Sequence, residues 1–222
     1  MDIMRWVTFD CFGTLVDWRH GIWTSADLIA PGHGRRLLDA YGRHEREVQA
    51  ESPGLRYREV LAESLRRACA EEQVPLAPDD ASVLAATLPY WPVFPDVGDE
   101  LTALREAGWR LALLTNCDRD LIGETQRRLP VRFDAVVTAE DAGAYKPSHA
   151  HFDTFSRSYE PERWVHVAQS FTHDLVPAHR LGIDRVWINR LGEHPEDPSI
   201  LQEVRPDLRG LAELVEVIAA SA

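Results

Sequence analysis

Polar side chains that could perform covalent and acid–base chemistry follow several apolar stretches of the sequence. Asp10 comes directly after residues 6–9, whose apolar, aromatic and β-branched side chains predict a β-strand. Further polar motifs each follow a later predicted strand: Thr115-Asn116, Lys146-Pro147 and Asp174. A carboxylate, an ammonium group and hydroxyl or amide groups can together hold an anion and attack an electrophilic carbon. Because ligands bind at the carboxyl ends of parallel strands, we expect these residues to form one site.

Each of these residues also has an ordinary structural interpretation. Asp10 and Asp174 could be helix N-caps, and Lys146 could be a solvated surface residue. Cys11, beside Asp10, could be a nucleophile, but no activating His is apparent near it in the sequence. Asp10 is therefore the preferred nucleophile, and the order of the motifs along the chain is what favours chemistry over structure.

The elements that must position these residues alternate along most of the chain. Short apolar stretches predict strands at residues 6–9, 109–114, 135–138, 164–168 and 185–188, with amphipathic helical stretches between the later ones. This alternation predicts an α/β fold with a Rossmann-like parallel sheet and helices on both faces. Residues 18–90 contain no convincing strand, and their pattern predicts helices. We therefore predict a core of residues 1–16 and 95–222, with a helical cap, residues 17–94, inserted after the first strand.

Composition limits the classes of function. A net charge of −12 argues against nucleic acid and requires a local cation if the substrate is a small anion. No apolar run is long enough for a membrane span, and no signal peptide is apparent. The three cysteines show no CxxC spacing, which indicates a reducing compartment, so we expect a cytoplasmic protein. A Gly-rich dinucleotide motif is absent. A homodimer is compatible with the sequence.

Taken in order, Asp10, Thr115-Asn116, Lys146 and Asp174 resemble the four motifs of the haloacid dehalogenase superfamily. The resemblance extends over nearly the whole chain. Within the superfamily the sequence is most similar to the type II (L-2-haloacid) dehalogenases. The resemblance implies a Rossmann-like core with a helical cap and a nucleophilic aspartate, Asp10.

Two positions depart from the magnesium-dependent members of the superfamily. Phosphatases carry a second Asp two residues after the nucleophile, where this chain has Phe12, and the dehalogenases commonly have Tyr there. In the fourth motif Gln169 occupies the place of a carboxylate. Magnesium prefers hard oxygen ligands, so we expect neither a metal nor another cofactor.

The resemblance also assigns roles to individual residues. Lys146 would keep Asp10 ionised, and Asp174 would orient Lys146 or activate the hydrolytic water. Thr14, Thr115 and Asn116 would bind the substrate carboxylate or Asp10, with Cys11 and Phe12 also in the binding loop. A cap arginine would accept the halide; Arg43 is the best positional match, with Arg35, Arg36 and Arg46 as alternatives. We give His44 and His173 no catalytic role.

The function implied is hydrolysis of short 2-haloacids to 2-hydroxyacids, with inversion, through an aspartyl ester. Two alternatives stay open: a magnesium-dependent phosphatase of a small metabolite, and a catalytically inactive family member. Phe152 and Phe171, which depart from the family pattern, favour the second of these. Aromatic residues at both ends of the predicted cap, Trp18 and residues 90–94, would make a small closed pocket and favour two- and three-carbon haloacids.

Overall fold

The structure, a computed structural model, describes residues 4–221. The contacts between residues divide the described chain into two compact units. The first unit contains residues 4–16, 93–115 and 129–221, and the second contains residues 17–92 and 116–128.

The first unit is built on a six-stranded sheet in which every pair of neighbouring strands is parallel. The strands are β1 (Arg5–Phe9), β2 (Arg110–Thr115), β3 (Ala135–Thr138), β4 (Arg163–Ala168), β5 (Asp184–Ile188) and β6 (Glu203–Arg205). The inner strands are buried along nearly their whole length, as expected for a sheet covered on both faces. The predicted α/β fold is confirmed.

The order of the strands across the sheet is β3-β2-β1-β4-β5-β6. After β1 the chain adds strands on one side, and it then crosses to the other side to add β4. The order therefore reverses between β1 and β4, and the crevice beyond the carboxyl ends of these two strands is where ligands bind in this kind of sheet. Asp10 follows β1 directly, and Asp174 lies in the loop and helical turn after β4.

Ten α-helices are assigned among residues 4–221. They are α1 (Trp18–Ile29), α2 (Gly34–Glu51), α3 (Tyr57–Glu71), α4 (Val83–Thr87), α5 (Val97–Glu106), α6 (Arg119–Gln126), α7 (Ala139–Ala142), α8 (Ala150–Tyr159), α9 (Val176–Arg180) and α10 (Leu211–Ser221). Short 3₁₀ turns lie at Pro78–Ser82, Leu88–Tyr90 and Pro198–Ile200. None of these helices is long and apolar enough to cross a membrane.

Aromatic and aliphatic side chains form the core of the first unit. On one face of the sheet, Phe152 and Phe155 of α8 pack with Trp6 and Leu114. Helices α5 and α10 pack together and against β2 and β4. These contacts bury the strands on both faces and hold their carboxyl ends in a fixed register.

The second unit is helical, and it includes residues 116–128, which the sequence analysis assigned to the core. Asp118 explains this grouping: its buried carboxylate accepts hydrogen bonds from the backbone N–H groups of Tyr57 and Arg58, at 2.7 and 3.1 Å, at the start of α3. A carboxylate satisfies N–H groups that a helix leaves unpaired at its N-terminus. The contact joins residues about 60 positions apart, which local patterns do not reveal.

Packing inside the helical unit also accounts for Trp91, one of the aromatics predicted to line a pocket. Its ring lies against Gly21, where even a methyl group would come within 2.2 Å of the ring. Its indole Nε1 donates to Thr87 Oγ1 at 3.3 Å. Tyr90 is exposed, with the guanidinium of Arg128 over its ring. Trp91 is therefore a packing residue of the helical unit.

Candidate active site

The loop after β1 presents Asp10. Gly13 has a φ of +103°, a conformation that L side chains rarely adopt, so a glycine is required at this turn. Thr14, the next residue, donates its hydroxyl hydrogen to Asp10 Oδ2 at 2.9 Å. The same hydroxyl oxygen accepts the backbone N–H of Gln169 at 2.9 Å. Thr14 therefore ties the loop after β1 to the loop that follows β4.

Lys146 lies between the two carboxylates of the site. Its Nζ donates to Asp10 Oδ1 at 3.0 Å, to Asp174 Oδ1 at 2.6 Å and to the carbonyl oxygen of Leu114 at 2.8 Å. Only 2% of its side chain is exposed, so Lys146 is not a solvated surface residue. The structure thus brings together three side chains that stand after three different strands, β1, β3 and β4, and a carbonyl oxygen of β2.

Burial and charge act on the three groups in different directions. Burial raises the pKa of Asp10; Lys146 opposes that shift and Asp174 adds to it. Burial alone would lower the pKa of Lys146, but attraction to Asp10 and Asp174 outweighs it, so the pKa is raised. Burial would raise the pKa of Asp174, but Lys146 and His166 lower it to about 2. The pKa values of the two carboxylates are thus shifted in opposite directions, upwards for Asp10 and downwards for Asp174.

Arg190, which the sequence analysis did not identify, supports the loop after β1. Its guanidinium donates twice to the carbonyl oxygen of Thr14, from Nε at 3.0 Å and Nη2 at 2.9 Å. Nη2 also donates to Asp96 Oδ2 at 2.9 Å, and the guanidinium lies 3.9 Å from the centre of the Phe94 ring. The planar, multidentate guanidinium therefore fixes the backbone four residues after Asp10.

His166 and Thr8 are also close to the site and were also missed. His166 Nε2 lies 3.1 Å from Asp174 Oδ1, and its Nδ1 lies 2.8 Å from Thr8 Oγ1. Both residues are inside strands, where the sequence analysis looked for apolar side chains. The signal that could have identified them is a polar residue in the middle of an otherwise apolar strand.

The remaining predicted residues of the first unit occupy different positions. Cys11 is fully buried, and burial, with Asp10 adding to it, raises its thiol pKa well above the usual value; it is therefore a poor nucleophile. Phe12 is half-buried in the loop. Thr115 ends β2, and its carbonyl oxygen lies 3.0 Å from Nε2 of the buried His151.

Asn116 and Arg43 belong to the helical unit. Arg43 is half-exposed on α2, and its guanidinium pairs with Glu71 and donates to the carbonyl oxygen of Asp39 at 3.1 Å. Of the alternatives, Arg36 pairs with Glu72 and Arg35 lies over the Trp23 ring. Arg46 is exposed and forms no ion pair within residues 4–221.

The helical turn after β4 begins earlier than predicted. Residues Phe171–Leu175 form a π-helical turn capped by Ser170, whose Oγ accepts the backbone N–H of His173. Asp174 is therefore inside the turn and is not the N-cap of α9. Single π-helical turns are frequent at functional sites, because they shift a side chain relative to the helix that follows.

The donors around Asp10 do not fit a magnesium ion. The side chain of Phe12 offers no oxygen, and the side-chain amide nitrogen of Gln169 donates to Glu193 at 3.0 Å. Lys146 already occupies one oxygen of Asp10 and one of Asp174. Within residues 4–221 no group of three or more His, Cys, Asp or Glu side chains is arranged to hold a metal ion. Magnesium requires near-octahedral oxygen coordination, which this set does not offer.

A parallel sheet with an Asp–Lys–Asp cluster at its switch point defines a class of hydrolases. A family model described as haloacid dehalogenase-like hydrolase matches residues 4–182. The chain therefore belongs to the haloacid dehalogenase-like hydrolases.

Several relatives that the chain matches over most of its length are dehalogenases. Haloacetate dehalogenase H-2 from Moraxella sp. (strain B) is 28% identical over 199 residues, which cover 84% of this chain and 86% of the relative. (S)-2-haloacid dehalogenase from Pseudomonas sp. (strain YL) is 26% identical over 100% of this chain and 99% of the relative. The crystal structure of the L-2-haloacid dehalogenase RSc1362 aligns with a TM-score of 0.84 at 25% identity, over 96% of this chain and 99% of the other.

His151 gives the stability of the protein a specific dependence on pH. Burial, with the charge of Lys146 adding to it, lowers its pKa from 6.5 to about 4. Between these two pH values the unfolded chain therefore binds a proton at His151 that the folded protein does not bind. The contribution of neutral His151 to stability is fully present above pH 6.5 and is lost as the pH falls towards 4. We expect the free energy of unfolding, measured by urea denaturation, to fall by about 2 kcal/mol between pH 7 and pH 5 from this residue.

The matched control is His151→Gln, whose amide nitrogen can still donate to the Thr115 carbonyl oxygen but does not titrate. Its unfolding free energy should fall less than that of the wild type over the same pH range. Equal slopes for the two proteins would contradict the assignment.

Proposed function

We propose that the protein removes halide from short 2-haloacids by hydrolysis and gives 2-hydroxyacids, with inversion at the reacting carbon and without a metal. The observation that carries the proposal is the combination of a buried, cation-paired nucleophile, Asp10, with Phe12 two residues later. A departing halide needs no proton, whereas an alkoxide leaving group requires a general acid, which Phe12 cannot be.

The first step is attack by a carboxylate oxygen of Asp10 on the halogen-bearing carbon. The new C–O bond forms as the C–X bond breaks, and halide leaves with the bonding electrons. Lys146 and Thr14 each hold one oxygen of Asp10, at 3.0 and 2.9 Å, so the carboxylate is fixed in orientation. Such alignment of reacting groups supplies much of the rate that a weak nucleophile lacks in water.

In the second step, water attacks the carbonyl carbon of the Asp10 ester, which releases the 2-hydroxyacid and a proton. Asp174 had two proposed roles, orienting Lys146 or activating this water. A carboxylate with a pKa of about 2 is a weak base near neutral pH, so its side-chain environment favours the orienting role. Lys146, which Asp174 holds, would then stabilise the negative oxygen that develops on the ester carbonyl.

The substrate is proposed to be a two- or three-carbon 2-haloacid. The name of one similar protein, a haloacetate dehalogenase, refers to a two-carbon acid and supports this size, and the names of two others refer to 2-haloacids without a chain length. With Asp10, Asp174 and Lys146 all ionised, the cluster carries a net negative charge, so an anionic substrate needs further donors. Thr115, Asn116 and a cation of the helical unit are the residues we assign to this role, because Thr14 already donates its hydroxyl hydrogen to Asp10.

A parallel screen separates this function from the phosphatase alternative, which would share Asp10, Lys146 and Asp174. We expect halide release from chloroacetate and (S)-2-chloropropionate that is unchanged by EDTA, and no phosphate release from small phosphorylated metabolites with Mg²⁺. Asp10→Asn should abolish halide release, because the nucleophile is lost, while its melting temperature stays unchanged or rises, because Lys146 keeps Asp174 as a partner.

Magnesium-dependent phosphate release that EDTA abolishes would overturn the proposal in favour of a phosphatase. No release of either product by the wild-type protein would instead support an inactive family member.

The cation that accepts the halide is proposed to be Arg43. Arg43→Ala should lower turnover by a factor on the order of 100, as loss of one preorganised donor typically does. Arg43→Lys should recover only part of the lost turnover, because the Lys ammonium is a point charge and lacks the planar arrangement of donors of the guanidinium. Initial rates of halide release over a range of substrate concentrations measure both effects.

Two controls make the assignment of Arg43 specific. Glu71→Gln removes the anion that pairs with Arg43 and should leave turnover unchanged or higher. Arg46→Ala removes a nearby exposed cation of the same helix and should have little effect. Near-normal turnover in Arg43→Ala together with a loss in Arg36→Ala or Arg46→Ala would transfer the role to one of those residues.

A further inference from the structure

We propose that His166 is a positioning residue for Lys146, acting through Asp174, and that Thr8 and Trp164 hold its imidazole in the tautomer with the proton on Nε2. The inference deepens the proposed function, because it rests on the proposed roles of Asp10, Lys146 and Asp174.

The register of the sheet places the three residues together. Thr8 of β1 is the direct cross-strand neighbour of His166 of β4. Trp164 lies two residues before His166, so both side chains point to the same face of the sheet. Phe152 of α8 covers this group, with its ring edge-on to the His166 imidazole at a centroid distance of 4.9 Å. Thr8 and His166 are fully buried, so bulk solvent does not reach their polar atoms.

The donors and acceptors of the group fix the direction of each hydrogen bond. Indole Nε1 can only donate, so Trp164 donates to Thr8 Oγ1, at 2.8 Å. Asp174 is ionised and can only accept, so His166 Nε2 carries a proton and donates to Oδ1, at 3.1 Å. The hydroxyl hydrogen of Thr8 then points to His166 Nδ1, 2.8 Å away.

The alternative, with a proton on Nδ1, leaves one donor without an acceptor. Nδ1–H would donate to Thr8 Oγ1, and the Thr8 hydroxyl hydrogen would have no acceptor among the contacts of residues 4–221. A buried donor without a partner costs free energy. The structure therefore favours a series of hydrogen bonds donated from Trp164 to Thr8, from Thr8 to His166 and from His166 to Asp174.

This series of hydrogen bonds affects the position of Lys146, because few other contacts hold the Asp174 carboxylate. Its Oδ1 accepts from both His166 and Lys146, and its buried Oδ2 has no hydrogen-bond partner among the described residues. The position of Oδ1, and with it that of the Lys146 ammonium, therefore depends on His166. The lowered pKa of Asp174, to which the His166 hydrogen bond contributes after burial and Lys146, agrees with this contact.

Nuclear magnetic resonance of the full-length protein tests the tautomer and the contact without any activity assay. In ¹⁵N spectra, His166 should show a protonated Nε2 and an unprotonated Nδ1, and Thr8→Val should shift the Nδ1 signal, whereas Thr8→Ser should not. In ¹³C spectra, His166→Leu should raise the pKa of the Asp174 carboxyl. A proton on Nδ1, or an Asp174 pKa that does not change in His166→Leu, would overturn the inference.

Kinetics test the positioning role. His166→Leu should lower kcat for halide release about tenfold, equivalent to about 1.4 kcal/mol, with KM little changed, because the residue does not touch the substrate. His166→Gln, whose amide nitrogen can replace Nε2 as donor, should restore most of kcat. Equal rates in wild type and His166→Leu, or equal losses in Leu and Gln variants with matching melting temperatures, would overturn it. If the wild type releases no halide, the proposed function fails and the spectra alone decide the inference.

Discussion

The structure of the site depends on the ammonium group of Lys146 between two buried carboxylates. Each buried charge would cost several kcal/mol if it were left unpaired, and the cost is offset only when the geometry of pairing is good. Here the ammonium lies 3.0 Å from Asp10 and 2.6 Å from Asp174. Removing Lys146 would leave two like charges facing each other in the interior. The pairing with Lys146 therefore offsets the cost of burying the two carboxylates.

The sheet provides this arrangement because the three residues follow β1, β3 and β4. Parallel strands with all their carboxyl ends on one edge deliver side chains from distant parts of the chain to one place. Further hydrogen bonds then fix the orientation of the charged groups. Thr14 links Asp10 to the loop after β4, Arg190 holds the Thr14 carbonyl oxygen, and His166 holds Asp174. These hydrogen bonds lie in a buried part of the first unit, where electrostatic interactions are stronger than in water.

Much of this arrangement follows from local sequence patterns. Five strands and the Asp–Lys–Asp set could be predicted, because apolar runs of strand length stand immediately before residues with chemical side chains. Strand β6 (Glu203–Arg205) was missed, since three residues with charges at both ends carry no apolar pattern; short, charged strands are typical of sheet edges. The π-helical turn that contains Asp174 was missed because Ser170, four residues earlier, is the cap.

The remaining features depend on contacts between residues far apart in the chain. Asp118 joins residues 116–128 to the helical unit through α3, and no pattern near Asp118 indicates this. Thr8 and His166 pair only because β1 and β4 are neighbours in a particular register, which the sequence does not specify by itself. Arg43 was chosen by its position along the chain, and its ion pair with Glu71 could not be foreseen from that position.

The central claim, an ester intermediate on Asp10, is tested most directly by single-turnover hydrolysis in ¹⁸O-water with enzyme in excess over (S)-2-chloropropionate. Water would attack the ester carbonyl, so the product hydroxyl comes from the enzyme. Mass spectrometry of the peptide containing Asp10 should therefore show one ¹⁸O atom in the Asp10 carboxylate and none in the product. Label found only in the 2-hydroxyacid would mean that water attacks the substrate carbon directly, and would contradict the account.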